Sequence, residues 1–120
     1  MKTTILCTLA FALGAASAAN ASEGQSGKAS WYGSDHVGKR TASGEIFTGK
    51  GRTAAHKDLP IGAVVRVLDK ATGRSVVVRI NDRGPYVGGR IIDLSEAAAQ
   101  ALGMRERGIA DVTLEVLALR

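Results

Sequence analysis

Two short runs fix most of what this chain can become. Ala63-Val64-Val65-Arg66-Val67-Leu68-Asp69 and Arg74-Ser75-Val76-Val77-Val78-Arg79-Ile80 are rich in β-branched residues and are joined only by Lys70 to Gly73. Branching at Cβ suits a pleated surface, and a short link ending in glycine closes as a hairpin. Both runs are nearly continuous in Val and Ile, the pattern of strands covered on both faces, as in a closed barrel.

The second run leads into Asn81-Asp82-Arg83-Gly84-Pro85-Tyr86-Val87-Gly88-Gly89, and the chain turns apolar again at Arg90-Ile91-Ile92. A polar loop gripped between two strands is where a rigid scaffold presents chemistry. Asp82 is the foremost candidate in it, although Asn-Asp-x-Gly-Pro is strong turn chemistry in its own right.

The flanking segments support this loop. Lys28 to Gly33 reads as a first strand ended by Gly33. Neighbouring strand residues face opposite ways, so of Trp31 and Tyr32 one is expected to line a surface, where an aromatic ring can stack on a sugar face. Ser34 to Arg52 reads as one long loop with a small turn or strand at Glu45-Ile46-Phe47. Thr53-Ala54-Ala55-His56 is expected to form a single helical turn, halted by Leu59-Pro60. Asp93-Leu94-Ser95-Glu96 has capping-box spacing with Asp93 as the cap. Leu94, Ala97, Ala98, Ala101 and Leu102 then form one apolar helix face, ended by Gly103. Ile109 to Leu117 alternates as a half-buried strand. The order strand, long loop, strand, strand, loop, strand, helix, strand predicts a mainly β fold, a small barrel with one packed helix.

The first 21 residues read as a secretory leader: Lys2, an apolar stretch from Ile5 to Ala16, and the small-x-small site Ala19-Asn20-Ala21. The apolar stretch is too short to span a membrane. The single cysteine, Cys7, lies inside it and too early for lipid attachment, so the mature chain is expected to carry neither a membrane anchor nor a disulfide. Residues 22–27 are expected to be a flexible mature N-terminus, with the barrel domain over 28–120. The formal net charge of +5 suits an acidic wall polymer or membrane surface. Nucleic acid is not expected as a partner of an exported chain whose basic residues form no run. No GxGxxG, P-loop, CxxC or HExxH pattern is present, so neither cofactor nor metal enters the reading, and a monomer is expected.

Taken together, Gly27-Lys28-Ala29-Ser30-Trp31-Tyr32-Gly33, Thr41-Ala42-Ser43-Gly44-Glu45, Thr53-Ala54-Ala55-His56, Leu59-Pro60, Arg74 to Pro85 and Gly89-Arg90-Ile91-Ile92-Asp93-Leu94-Ser95 resemble the rare lipoprotein A family of septal-ring lytic transglycosylases. The resemblance implies a six-stranded double-psi β-barrel with one or two short helices. It also implies cleavage of the β-1,4 bond between N-acetylmuramic acid and N-acetylglucosamine in peptidoglycan glycan strands, a preference for strands stripped of peptide, and a 1,6-anhydro end. By motif, the catalytic acid is Asp82, with Glu45 and His56 completing the site. Trp31, Tyr32, Arg83, Tyr86 and Asp93 are candidates for binding the glycan. A lytic transglycosylase activates no water, so one carboxyl acting first as acid and then as base can suffice. Arg83 adjoins Asp82 and Arg79 is three residues back, and a close guanidinium favours an ionised carboxylate. Either these arginines point away from Asp82 or Asp82 serves as a stabilising carboxylate. The alternative from another class is a non-catalytic, expansin-like module that binds or loosens wall glycan. A third reading is an interaction protein that binds another wall enzyme.

Overall fold

The computed structural model describes residues 25–119, so the expected leader and its cleavage site lie outside the described residues. Six strands, β1 (Ser26–Trp31), β2 (Thr53–Ala55), β3 (Val64–Asp69), β4 (Ser75–Asp82), β5 (Arg90–Leu94) and β6 (Ala110–Ala118), close into a barrel in the order β1-β5-β2-β4-β3-β6. A 3-10 turn spans Ser34–His36, and helix α1 covers Glu96–Leu102. β1 runs parallel to β5 and β2 parallel to β4, while every other neighbouring pair is antiparallel.

The hairpin that dominates the sequence is β3–β4, with Val65 opposite Val78 and Val67 opposite Val76. Burial along it alternates, which corrects the expectation that both faces are covered. Val65, Val67, Val76, Val78 and Ile80 fill the barrel, whereas Leu68 and Val77 face outward and are exposed. β-branched residues serve on either face of a pleated strand, so a Val run by itself does not report two-sided burial. Ala110, Val112 and Leu114 of β6 also face inward, as their alternation indicated.

Thr53-Ala54-Ala55 is not a helical turn but the short strand β2, inserted between β4 and β5. Its three residues are all buried, and burial on two strand edges overrides the helix propensity of Ala. Only a single bridge, Arg40 to Ile46, forms in the long loop. β1 begins at Ser26, so Ser26 and Gly27, expected to be flexible, are already paired with Thr113 and Val112. Gly27 is required where it stands: a Cβ there would lie 2.7 Å from the Ile91 side chain, which is the extra residue of a bulge between the pairs Lys28–Arg90 and Ala29–Ile92.

The N-cap of α1 is Ser95, not Asp93. Its fully buried hydroxyl accepts from the Ala98 N–H and donates to the Gly51 carbonyl. Asp93 remains in β5. Ala98, Ala99 and Leu102 form the buried face, and Gly103 ends the helix at φ 81°.

Candidate active site

The pairing of four neighbouring strands sets one row of residues side by side. Ser30 of β1 pairs with Asp93 of β5, Asp93 with Ala55 of β2, and Ala55 with Asp82 of β4. Residues directly opposite in a sheet share a face. Their neighbours Ala54 and Leu94 lie in the barrel core, so the row Ser30, Asp93, Ala55, Asp82 lies on the outside. Two strand spacings separate the backbones of Asp82 and Asp93, about 10 Å.

A bulge puts Asp82 in this row. Ala54 pairs with Ile80 but Ala55 pairs with Asp82, leaving Asn81 as the extra residue. Such insertions bend a strand and redirect its side chains. Asp82 Oδ1 accepts from the Ala42 N–H at 3.0 Å and the Arg83 N–H at 2.9 Å. Among the described residues nothing donates to its other oxygen.

The Ala42 donor is delivered by the tight turn Thr41 to Glu45. Within it the Thr41 N–H donates to the Glu45 carbonyl and the Gly44 N–H to the Thr41 carbonyl, while the Ser43 N–H donates to the Asn81 carbonyl. Gly44 sits at φ 96°, a left-handed conformation that favours glycine. Glu45 pins the turn to β4: Arg79 donates to both of its oxygens, at 2.7 and 3.2 Å, and Asn81 Nδ2 donates at 3.0 Å. The Arg79 hydrogen bonds first, then that of Asn81, lower the Glu45 pKa to about 2. Glu45 is thus a carboxylate at neutral pH and holds no proton to give. A cavity of about 140 Å³ opens beside Glu45, Arg79 and Asn81.

His56 meets Asp82 only through the backbone, where its N–H donates to the Asp82 carbonyl at 3.1 Å. Its ring is committed elsewhere. Nδ1 accepts from the Asp58 and Leu59 N–H groups, so Nε2 carries the proton and donates to Gln25 at 2.6 Å. The residue is 3% exposed, and burial lowers its pKa, in keeping with a neutral imidazole. It lines a second cavity of about 150 Å³ with Gln25, Leu59, Leu114 and Val116. The structure thus brings the His56 backbone, and not its ring, to Asp82, and the ring anchors the loop from Asp58 to Leu59.

The remaining candidates divide. Arg83 donates to the carbonyls of His56 and Leu59, so its guanidinium ties that loop down. With Arg79 held by Glu45, both flanking arginines are engaged away from the Asp82 carboxyl. Trp31 packs from the barrel side and donates through Nε1 to the Arg105 carbonyl, off the outer row. Tyr32 is on the outer side but buried beneath the long loop, stacked on Phe47. Tyr86 is 75% exposed, with its ring beside Gly84 and close in sequence to Asp82. Asp93 accepts from Ser30, and Ser30 in turn accepts from Arg90 Nε at 3.0 Å. Sequence reasoning missed Ser30, Arg90 and Ala42. Ser30 lies two residues before Tyr32 on the same strand face, which a period-two count could have found, but Ala42 contributes only its backbone and leaves no side-chain signal.

A closed six-stranded barrel with interleaved parallel pairs is a double-psi barrel, and this one carries two carboxylates, Asp82 and Asp93, in one row on its outside. The chain belongs to the lytic transglycolase family, whose model matches residues 24–114. It is 53% identical over 91 residues to a probable endolytic peptidoglycan transglycosylase RlpA of Synechocystis, covering 76% of this chain and 28% of the relative. The same identity holds for the endolytic peptidoglycan transglycosylases RlpA of Neisseria meningitidis (91 residues, 76% of this chain, 38% of the relative) and Vibrio cholerae (93 residues, 78% and 35%). The chain thus spans about a third of the length of these relatives. Among solved structures, a Streptomyces papain inhibitor aligns with a TM-score of 0.62 at 24% identity, over 80% of this chain and 94% of that one. A Clavibacter michiganensis expansin, solved as a point mutant in complex with cellohexaose, aligns with 0.60 at 19% identity, over 78% and 50%. These two establish the shared fold.

Proposed function

We propose that the protein is an exported, cell-wall-associated lytic transglycosylase that acts on peptidoglycan glycan strands, with Asp82 as its acid and base. The observation that carries this reading is the placement of Asp82. It stands at the bulged end of β4 with one oxygen fixed by two backbone N–H groups, no guanidinium bound to its carboxyl among the described residues, and only partial burial. In the reaction, Asp82 gives its proton to the glycosidic oxygen as the bond to C1 of N-acetylmuramic acid breaks. The C6 hydroxyl of that sugar bonds to C1 and loses its proton to the Asp82 carboxylate. The acid is regenerated, no water is consumed, and a 1,6-anhydro end remains. Glu45 supports the acid by holding the turn that carries Ala42. Asp93 supplies a second negative wall across Ala55, and Tyr86 offers an exposed face to a sugar ring.

Incubation of the purified protein with denuded and with peptide-bearing glycan strands, followed by mass spectrometry, tests this. New anhydro-muramic ends that disappear in Asp82→Asn are expected. Binding without new ends would replace the enzyme by a glycan-binding module, and reducing ends without anhydro product would mean a hydrolase.

A further inference from the structure

Among the described residues two buried side-chain polar atoms lack a partner, Asn81 Oδ1 in the bulge and the Tyr32 hydroxyl, and only the second has a proton to give. Tyr32 is 9% exposed, and its hydroxyl makes no hydrogen bond within the described structure. Buried hydroxyls in native proteins are nearly always bonded, and an orphan calls for a reason. The ring itself is firmly held: it stacks on Phe47 at 4.7 Å, meets His36 edge-on at 5.1 Å, and packs with Ala55. Its N–H donates to the Leu94 carbonyl, one residue beyond Asp93. Ala55 is the residue between Asp82 and Asp93 in the row. The Tyr32 ring therefore packs on the residue that separates the two carboxylates. Its acidity reflects this: burial raises its pKa, and the charges of Asp82 and then Asp93 raise it further. The phenol stays protonated at neutral pH and has one O–H to donate.

The two carboxylates differ in what they can accept. Asp93 is already served by Ser30, with Arg90 at 3.5 Å. Asp82 has one oxygen fully occupied and one unoccupied.

We propose that the Tyr32 hydroxyl is a positioning donor for Asp82, unsatisfied before reaction and bonded to the free carboxylate oxygen as negative charge develops there. This deepens the transglycosylase reading and rests on it. An interaction absent from the ground state and gained as the proton leaves is one that raises the rate of the chemical step rather than the affinity for substrate. Tyr32 itself gains and loses no proton. Because the hydroxyl is covered, it touches no sugar.

The test is Tyr32→Phe, assayed by release of anhydro ends from denuded strands beside wild type and Asp82→Asn. Removing an orphaned buried hydroxyl is neutral or stabilising, so the thermal midpoint should stay level or rise. We expect kcat to fall at least fivefold with KM within twofold of wild type. A fall of less than fivefold, or one that appears in KM instead, overturns the proposal while leaving the transglycosylase reading intact. A wild-type protein that forms no anhydro ends overturns both. Phe47→Leu loosens the same stack but keeps the hydroxyl. It should lower the midpoint and leave kcat within fivefold, and an equal loss of kcat in both variants would mean packing alone is at work and would overturn the proposal.

Discussion

At the scale of the residue, Glu45 is a motif position whose contacts are those of a fastener. Its carboxylate is gripped by Arg79 and Asn81, and its pKa falls from 4.5 to about 2. A depressed carboxylate pKa stabilises the fold above the unfolded value, and that contribution is lost as pH falls through the folded one. Comparing thermal midpoints of wild type and Glu45→Gln against pH should therefore show a constant gap above about pH 5 that closes toward about pH 2. The side chain is 42% exposed, so solvent screens the pair and added salt should narrow the gap. On the proposed transglycosylase reading, Glu45→Gln should also slow release of anhydro ends, because a loosened Thr41 to Glu45 turn no longer presents the Ala42 N–H to Asp82. By the same reading His56 is a loop anchor whose tautomer is dictated by two backbone donors.

At the scale of the element, the α1 cap gives a clean test. Ser95→Ala removes an acceptor from the Ala98 N–H and a donor to the Gly51 carbonyl in a fully buried setting. It should cost about 2 kcal/mol in urea unfolding, the upper end of capping losses, whereas Asp93→Asn should leave the helix cap intact. The helix and its Gly103 end were legible, but the cap was assigned to Asp93, and pairing of Asp93 into β5 leaves that role to Ser95. Five strands were legible: four carry β-branched or alternating residues, and β1 was marked by Trp31 and Tyr32 ahead of Gly33. The sixth, Thr53-Ala54-Ala55, was not, because three small residues have no period of their own and become a strand only by filling the slot between β4 and β5. Asp82 was legible as a loop carboxylate, but its place in one row with Asp93, across Ala55, depends on a one-residue bulge at Asn81 that no spacing in a single strand reveals. The Ser30 member of the row was hidden for the same reason, being brought to Asp93 by parallel pairing of distant segments.

At the scale of the whole molecule, the barrel is fastened by a buried charge. Asp69 at the end of β3 is fully buried; it accepts from the Ala71 N–H in the hairpin turn and from Arg107 just before β6. Burial alone would raise its pKa, but the Arg107 and backbone hydrogen bonds overcome that and lower it. Arg107→Ala strands a carboxylate without its counter-charge and should cost about 3 kcal/mol by denaturant unfolding, the low end for a broken buried pair because Arg107 is itself partly exposed. What lies beyond that latch is β6, which lies against both β1 and β3. Ser26 meets Thr113, nearly the full described chain apart, so closure waits on β6. Folding through such remote pairing is slow compared with local helix formation. Without Ala110 to Ala118 in place, β1 and β3 lack the partner they share, and the barrel stands open along that seam.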